Sequence, residues 1–468
     1  MKPNNKNVIL VIVDALSSER IGAFGYQPSP TPELDRLIEG GVSFSNMYSV
    51  GCPTQFALPG IFSSTMPLDY GGYEMGIVNR PHSFVESFQQ AGYRTAGFFG
   101  GFSCERLYGY DRGFDDFVPT HDFNLYLNNL QKLYLEHSRQ LIDSGAVTIH
   151  ECAESLVPFL DAYLRDIYLH AKAALVSHAN PARLPSPVID RWDFTGVLKV
   201  LEREREDFTS NSAAYCKKLL EGRNFSASIL AYRHRSFPTA KNTTIRKLRK
   251  ASTLASLGAN ALLSGDRNLR SLGGKLRRQQ TRVVSGAYTF ASGLKWLDQS
   301  SYRPFFMCLH TMDAHDTSFS SFDVGVGALN RAREVRAVAD TDRNIRKAQA
   351  EGAFSGNVNY DLALRYTDVQ ISNLFKALET RNLMKDTVVV ITGDHGMLPW
   401  VTRQPSRDFD TFLDSLYRVP TIICSSGLPP SRNDAMVSQL DLAPTLLELA
   451  GLPSHESFQG RSLLSGEG

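Results

Sequence analysis

Cysteine is sparse in this 468-residue chain: six residues, at positions 52, 104, 152, 216, 308 and 424, with no Cys-x-x-Cys pair among them. This spacing argues against a disulfide framework and against a cysteine-ligated zinc site, and it leaves reduced, buried thiols as the expectation. Long apolar runs are also missing, none approaching the roughly 18 residues a membrane helix needs. An apolar strand begins within ten residues of Met1, so the expectation is a chain with no signal peptide or membrane span, placed in the cytoplasm. No internal repeat is visible. The net charge is only +2, but it is unevenly spread. Between Tyr232 and Arg282, 13 Lys/Arg face one acid, Asp266, which gives that segment +12 and the remainder −10.

What the sequence does have is a series of buried-strand patterns that end in polar residues. Asn7-Val-Ile-Leu-Val-Ile-Val13 runs into Asp14, and Lys385-Asp-Thr-Val-Val-Val-Ile-Thr392 runs into Gly393-Asp-His-Gly396. Continuous β-branched runs predict strands covered on both faces, and open α/β sheets bind ligands beyond the carboxyl ends of such strands. If the two strands are neighbours, Asp14, Asp394 and His395 converge on one cation. Arg303-Pro-Phe-Phe-Met-Cys-Leu-His310 is a third such strand and delivers Asp313 and His315 to the same edge.

Between these strands, Thr31 and Pro32 predict the N-cap and first position of a helix that stops at Gly40-Gly41, and Val42–Tyr48 alternates as a strand. Gly51 to Phe62 reads as a turn entering a helix, with Thr54 at the helix start, where backbone amides favour an anion. Residues 81–90 read as a helix and Thr95–Phe99 as a strand. Residues 360–378 have helical spacing, Val419–Cys424 is a strand, and Asp441–Ala450 is a helix. The expected fold is α/β, a doubly wound and mostly parallel central sheet flanked by helices. Residues 1–120 and 283–468 form the core, and 121–282 form an α-helical insertion that becomes basic towards its end.

Taken together and in order, these motifs resemble the sulfatase branch of the alkaline phosphatase superfamily: Asp14, the turn at Thr54, Met312-Asp-Ala-His315, Thr392-Gly-Asp-His-Gly396, Arg418-Val-Pro-Thr-Ile-Ile423 and Asp441-Leu-Ala-Pro-Thr-Leu-Leu447. The resemblance covers about residues 6–118 and 284–464. Sulfatases carry Cys-x-Pro-x-Arg, whose cysteine becomes formylglycine. Here Pro53 directly follows Cys52 and Gln55 stands where the arginine would fall. Thr54 to Ser63 instead looks like the threonine turn of the phosphoethanolamine transferases, with Ala57, Pro59 and Phe62 at the matching positions.

The resemblance implies a metal-dependent phosphotransferase or phosphodiesterase. Thr54 would be its nucleophile, with Cys52 the competitor, and the reaction would pass through a covalent phospho-enzyme. The implied metal ligands are Asp14, Thr54, Asp394 and His395. They hold one divalent ion, zinc or manganese in preference to calcium, because an imidazole stands where the calcium sites have oxygen. His315 would act as the substrate or acid histidine, and Gln55, His310, Arg403 and Arg407 would contact substrate. Arg403 and Arg407 stand in the loop where relatives carry a further histidine or lysine, and an arginine does not ligate a metal, so a second ion is left open. The implied substrate is a small-molecule or glycan phosphoester.

Two alternatives remain. One is a sulfatase or phosphomonoesterase of the same superfamily. The other is a binding protein whose basic stretch at 233–282 lies on an anionic membrane surface. Aromatics are too few in that stretch for stacking on nucleic acid.

Overall fold

The seven residues Asn7–Val13 form strand β1, and their side chains alternate into two separate hydrophobic cores. Val8, Leu10 and Ile12 pack with Phe44, Phe62 and Leu446 on one side, while Ile9, Val11 and Val13 pack with Leu34, Ile371 and Leu374 on the other. A strand covered on both faces has no solvent side, which is why its sequence is apolar throughout rather than alternating. The structure, a computed structural model, describes residues 6–120, 123–124, 127, 130–179, 192–233, 286–299, 304–315, 328–354, 356–397 and 414–465.

The remaining strands are β2 (Val42–Tyr48), β3 (Arg94–Phe99), β4 (Asp116–Pro119), β5 (Phe305–Thr311), β6 (Thr387–Gly393), β7 (Arg418–Cys424), β8 (Ser431–Asn433) and β9 (Val437–Ser438). They form one nine-stranded sheet in the order β4-β3-β5-β1-β6-β7-β2-β8, with β9 beside β2. All pairings are parallel except those of β7, which runs antiparallel to both β6 and β2. The expected doubly wound, mostly parallel sheet is present. Register is what matters for function. Val13 of β1 lies opposite Thr311 of β5 and Gly393 of β6, so the three central strands end level and release Asp14, Met312 and Asp394 side by side.

Helix α1 (Pro32–Gly40) begins with Pro32 at its first turn, as its sequence predicts, but the Thr31 side chain does not cap it. The free amides of Glu33 and Leu34 donate instead to the buried Asp368 carboxylate, at 3.1 and 2.9 Å, from the helix Val358–Thr380. A tertiary acceptor has displaced the local one. Helix α2 (Thr54–Ser63) follows β2, and its residues Leu58, Ile61 and Phe62 are fully buried.

Between β4 and β5 the described residues are mostly helical, including Ile149–Ala179, Phe194–Ser210 and Ser212–Leu220. They pack around a hydrophobic cluster of their own that contains Phe123, Ile167, Trp192, Val197 and Leu219 and reaches the sheet domain through Leu107. Beyond Arg233 the basic stretch lies outside the described residues, as does the loop with Arg403 and Arg407. All six cysteines are free thiols, five buried and Cys52 half-buried. Among the described residues, no helix is long and apolar enough to cross a membrane.

Asp368 also pairs with Arg365 at 2.5 Å. Asp368→Asn keeps the shape but points an amide hydrogen at donors, so the variant is expected to lose about 1–3 kcal/mol of stability. Denaturant unfolding measures this, with Arg36→Ala, which removes an exposed ion pair to Glu33, expected to stay within about 1 kcal/mol of wild type.

Candidate active site

Level strand ends bring two carboxylates together out of reach of water: Asp14 and Asp394 are both 0% exposed. Each is partly committed to the surrounding backbone or hydroxyl groups. Asp394 Oδ1 accepts from the amides of Ala15 (3.0 Å) and His395 (2.7 Å), and Asp14 Oδ2 accepts from Thr54 Oγ1 at 3.1 Å. This leaves Asp14 Oδ1 and Asp394 Oδ2 buried without a hydrogen-bond partner, and both ring nitrogens of the buried His310 are in the same condition. Ligand atoms of Asp14, His310 and Asp394 all lie within 4.8 Å of one another. Buried polar atoms are nearly always partnered, so this convergence of orphaned oxygens and imidazole nitrogen fits a divalent cation.

His395 closes another side of the site. Its Nδ1 donates to the Gly396 carbonyl at 2.6 Å, which aims Nε2 inward. That Nε2 is 3.3 Å from Thr54 Oγ1 and 3.7 Å from both Asp14 Oδ1 and Asp394 Oδ2. Orientation of an imidazole through its far nitrogen is the usual arrangement for a histidine that binds metal. Gly396 makes the arrangement possible. Its amide donates to Leu416 O at 2.7 Å, and a Cβ at this position would sit 1.9 Å from Ser415 O.

The charges are strongly coupled. Burial pushes the Asp14 carboxyl up, but His315, His310 and His395 outweigh it and hold the group well below the usual carboxylate range. Asp394 moves up, through burial and then the neighbouring Asp14 charge. Burial favours neutral His395, yet Asp394, the Cys52 thiol and Asp14 together hold its imidazole well above its ordinary value.

Thr54 is the first residue of α2, is buried, and bridges Asp14 and His395. His315 is exposed, its ring centroid 6.4 Å from that of His395, which places it at the mouth. Gln55 is half-buried beside Thr54 on α2.

His310, read from the sequence as a substrate contact or a hydrogen-bonded core residue, lies within the carboxylate group, with Nε2 3.6 Å from Asp14 Oδ2. The reason is register: His310 lies opposite Ile12, one step before the strand end. Asp313 has a structural task, accepting from the amide of Gly286 and the hydroxyl of Thr311, each at 2.7 Å. Sequence reading missed Gln439, whose Nε2 donates to the carbonyls of Gly393 (2.9 Å) and Asp394 (2.5 Å). A lone glutamine 45 residues beyond Asp394 carries no local signal.

Comparison with known proteins adds a second line of argument. A sequence-family profile described as "Sulfatase" matches residues 6–161 and 237–452. Arylsulfatase K of Rattus norvegicus is 25% identical over 186 residues, which is 38% of this chain and 29% of that protein. The choline-sulfatase of Rhizobium meliloti (strain 1021) is 28% identical over 116 residues, covering 25% of this chain and 21% of that protein. The chain thus spans under a third of the length of these relatives. Among solved structures, a protein in the alkaline phosphatase superfamily from Vibrio parahaemolyticus has a TM-score of 0.51 at 14% identity, covering 100% of this chain and 72% of that one. This last likeness shows the fold alone. The relatives named arylsulfatase and choline-sulfatase overturn the reading of the chain as a phosphotransferase or phosphodiesterase working through a phosphothreonine.

Asp394→Asn and His310→Ala are each expected to abolish stoichiometric binding of a divalent ion, whereas Cys152→Ser in the helical unit retains it. Elemental analysis of the purified variants after metal loading measures this. Because a ligand that binds only the folded state stabilises it, adding the ion should raise the melting temperature of the wild type and not of the first two variants.

Proposed function

The chain belongs to the sulfatase family, and from that premise we propose that it hydrolyses a sulfate ester at the cluster of Asp14, Thr54, His310, Asp394 and His395. The observation that carries the proposal is the Thr54 hydroxyl, buried at the head of α2 and held between Asp14 Oδ2 and His395 Nε2. An aryl or small-alcohol sulfate is the substrate class that the relatives' names support. The helix start at Thr54 suits its charged SO3 group, and a divalent ion held by the carboxylates and imidazoles would add the positive charge.

Asp14, His310, Asp394 and His395 would hold one divalent ion. Two imidazoles beside two carboxylates suit zinc or manganese better than calcium, which prefers six to eight oxygens. The bound ion would supply Lewis acidity towards a sulfate oxygen and lower the pKa of the neighbouring hydroxyl. The chain's own residues do the rest. Asp14 Oδ2 accepts the Thr54 hydrogen and orients the oxygen lone pair towards sulfur. Attack by Thr54 Oγ1 forms an O–S bond and breaks the ester O–S bond, and His315 at the mouth gives the departing alkoxide a proton. Water then attacks sulfur, restoring the Thr54 hydroxyl and releasing hydrogensulfate.

The resemblance to threonine-turn enzymes survives here only in the placement of that hydroxyl. A second reading rests on Cys52, a half-buried thiol two residues ahead of Thr54 that helps hold the His395 imidazole above its ordinary value. In that reading Cys52 or a derivative of it would be the attacking group.

The test is turnover of aryl sulfate, phosphate monoester and phosphate diester side by side, with wild type, Thr54→Ala and Cys52→Ser. Sulfate is expected to be the preferred ester, and Thr54→Ala to lower kcat by about six orders of magnitude with little change in KM, as loss of a nucleophile does. Cys52→Ser should retain most of the activity. Full turnover by Thr54→Ala with loss in Cys52→Ser would transfer the nucleophile to Cys52, and preference for a phosphate ester would refute the sulfatase reading.

A further inference from the structure

Ala15, the residue after Asp14, is a non-glycine in the left-handed region, with φ 59°, a conformation that costs energy for any residue with a Cβ. It is buried, and both of its backbone groups are held. Its amide donates to Asp394 Oδ1 at 3.0 Å, and its carbonyl accepts from Tyr360 Oη at 2.6 Å. The same phenol oxygen accepts the amide of Ser17 at 3.2 Å. Tyr360 is 0% exposed and lies on the helix Val358–Thr380, more than 340 residues away in sequence from the turn it holds. The Arg20 guanidinium lies 5.8 Å from its ring centroid.

We infer that Tyr360 is the positioning residue for the metal-binding carboxylates: its hydroxyl fixes the left-handed turn at Ala15, and that turn aims Asp14 at His310 and Asp394. The inference rests on the reading that these residues bind a divalent ion, and not on which ester is cleaved. Without the hydroxyl, the Ala15 carbonyl loses a buried donor and the Ser17 amide loses a buried acceptor. The backbone then has reason to relax towards the right-handed region, and the carboxylate that follows β1 turns with it. Groups that orient metal ligands from behind typically change affinity by about 10- to 100-fold when removed.

The experiment measures metal affinity on the full chain, with Mn2+ followed by electron paramagnetic resonance and Zn2+ by competition with a chromophoric chelator. Thermal melts of the metal-free proteins accompany each titration. Tyr360→Phe is expected to melt cooperatively and to bind the ion about tenfold or more weakly. Adding Ala15→Gly to that variant should recover part of the affinity, because glycine adopts a positive φ without steric cost. Ala15→Val, which leaves Tyr360 untouched but disfavours the turn, should weaken binding as well, and it decides the matter should Tyr360→Phe fail to fold. Wild-type affinity in Tyr360→Phe or in Ala15→Val would overturn the inference. So would a loss in Tyr360→Phe that Ala15→Gly does not relieve, since the phenol would then serve folding alone. A wild type that binds neither ion would remove the metal reading itself, a result distinct from the others.

Discussion

Two carboxylates at the ends of adjacent parallel strands, both closed off from water, are the constraint around which this molecule is built. Asp14 and Asp394 raise each other's energy across the β1–β6 pairing, and burial alone would drive both towards the neutral acid. The surrounding residues answer that repulsion. Backbone amides of Ala15 and His395 converge on Asp394, the Thr54 hydroxyl donates to Asp14 Oδ2 with the His310 imidazole of β5 beside it, and His395 at the end of β6 faces the remaining oxygens. What these donors leave unsatisfied has the geometry of a cation site.

The architecture makes the site rigid. β1, β5 and β6 are each buried on both faces, so a slip of one residue would turn each strand's side chains into the opposite core. That packing also fixes which residues reach the strand ends. β7, antiparallel to its neighbours β6 and β2, starts at this same edge, so the residue just ahead of it, Leu416, is there to accept the Gly396 amide. Gln439 holds the carbonyls of Gly393 and Asp394 from the last segment of the chain. The site is therefore supported by residues from both termini and from the middle.

Much of this was legible in the linear chain because several two-sided apolar runs deliver carboxylates and imidazoles to their carboxyl ends, where open α/β sheets bind ligands. The runs ending at Asp14, His310 and Asp394, and the helix start at Thr54, stood out for that reason. Their roles were less legible. His310 looks the same in sequence whether it lies in the core or faces a cation, since only its register against Ile12 decides what it meets. Tyr360 sits within an ordinary amphipathic helix pattern, and nothing local distinguishes a tyrosine that packs from one that clamps a distant turn. At α1 the good N-cap Thr31 lost its expected task to Asp368, because a buried charged acceptor is stronger than a local hydroxyl.

The sequence alone determined the α/β alternation, the two-sided burial of the central strands and the set of residue types collected at their carboxyl ends. These follow from periodicity and from the energetic cost of placing charged groups beside apolar runs. The tertiary structure decided which of those residues share a cation-sized space, how Thr54 is held between Asp14 and His395, and which distant groups pin the turn at Ala15. Those are outcomes of strand order, register and helix packing, and each depends on contacts between segments separated by tens to hundreds of residues, which no local pattern encodes.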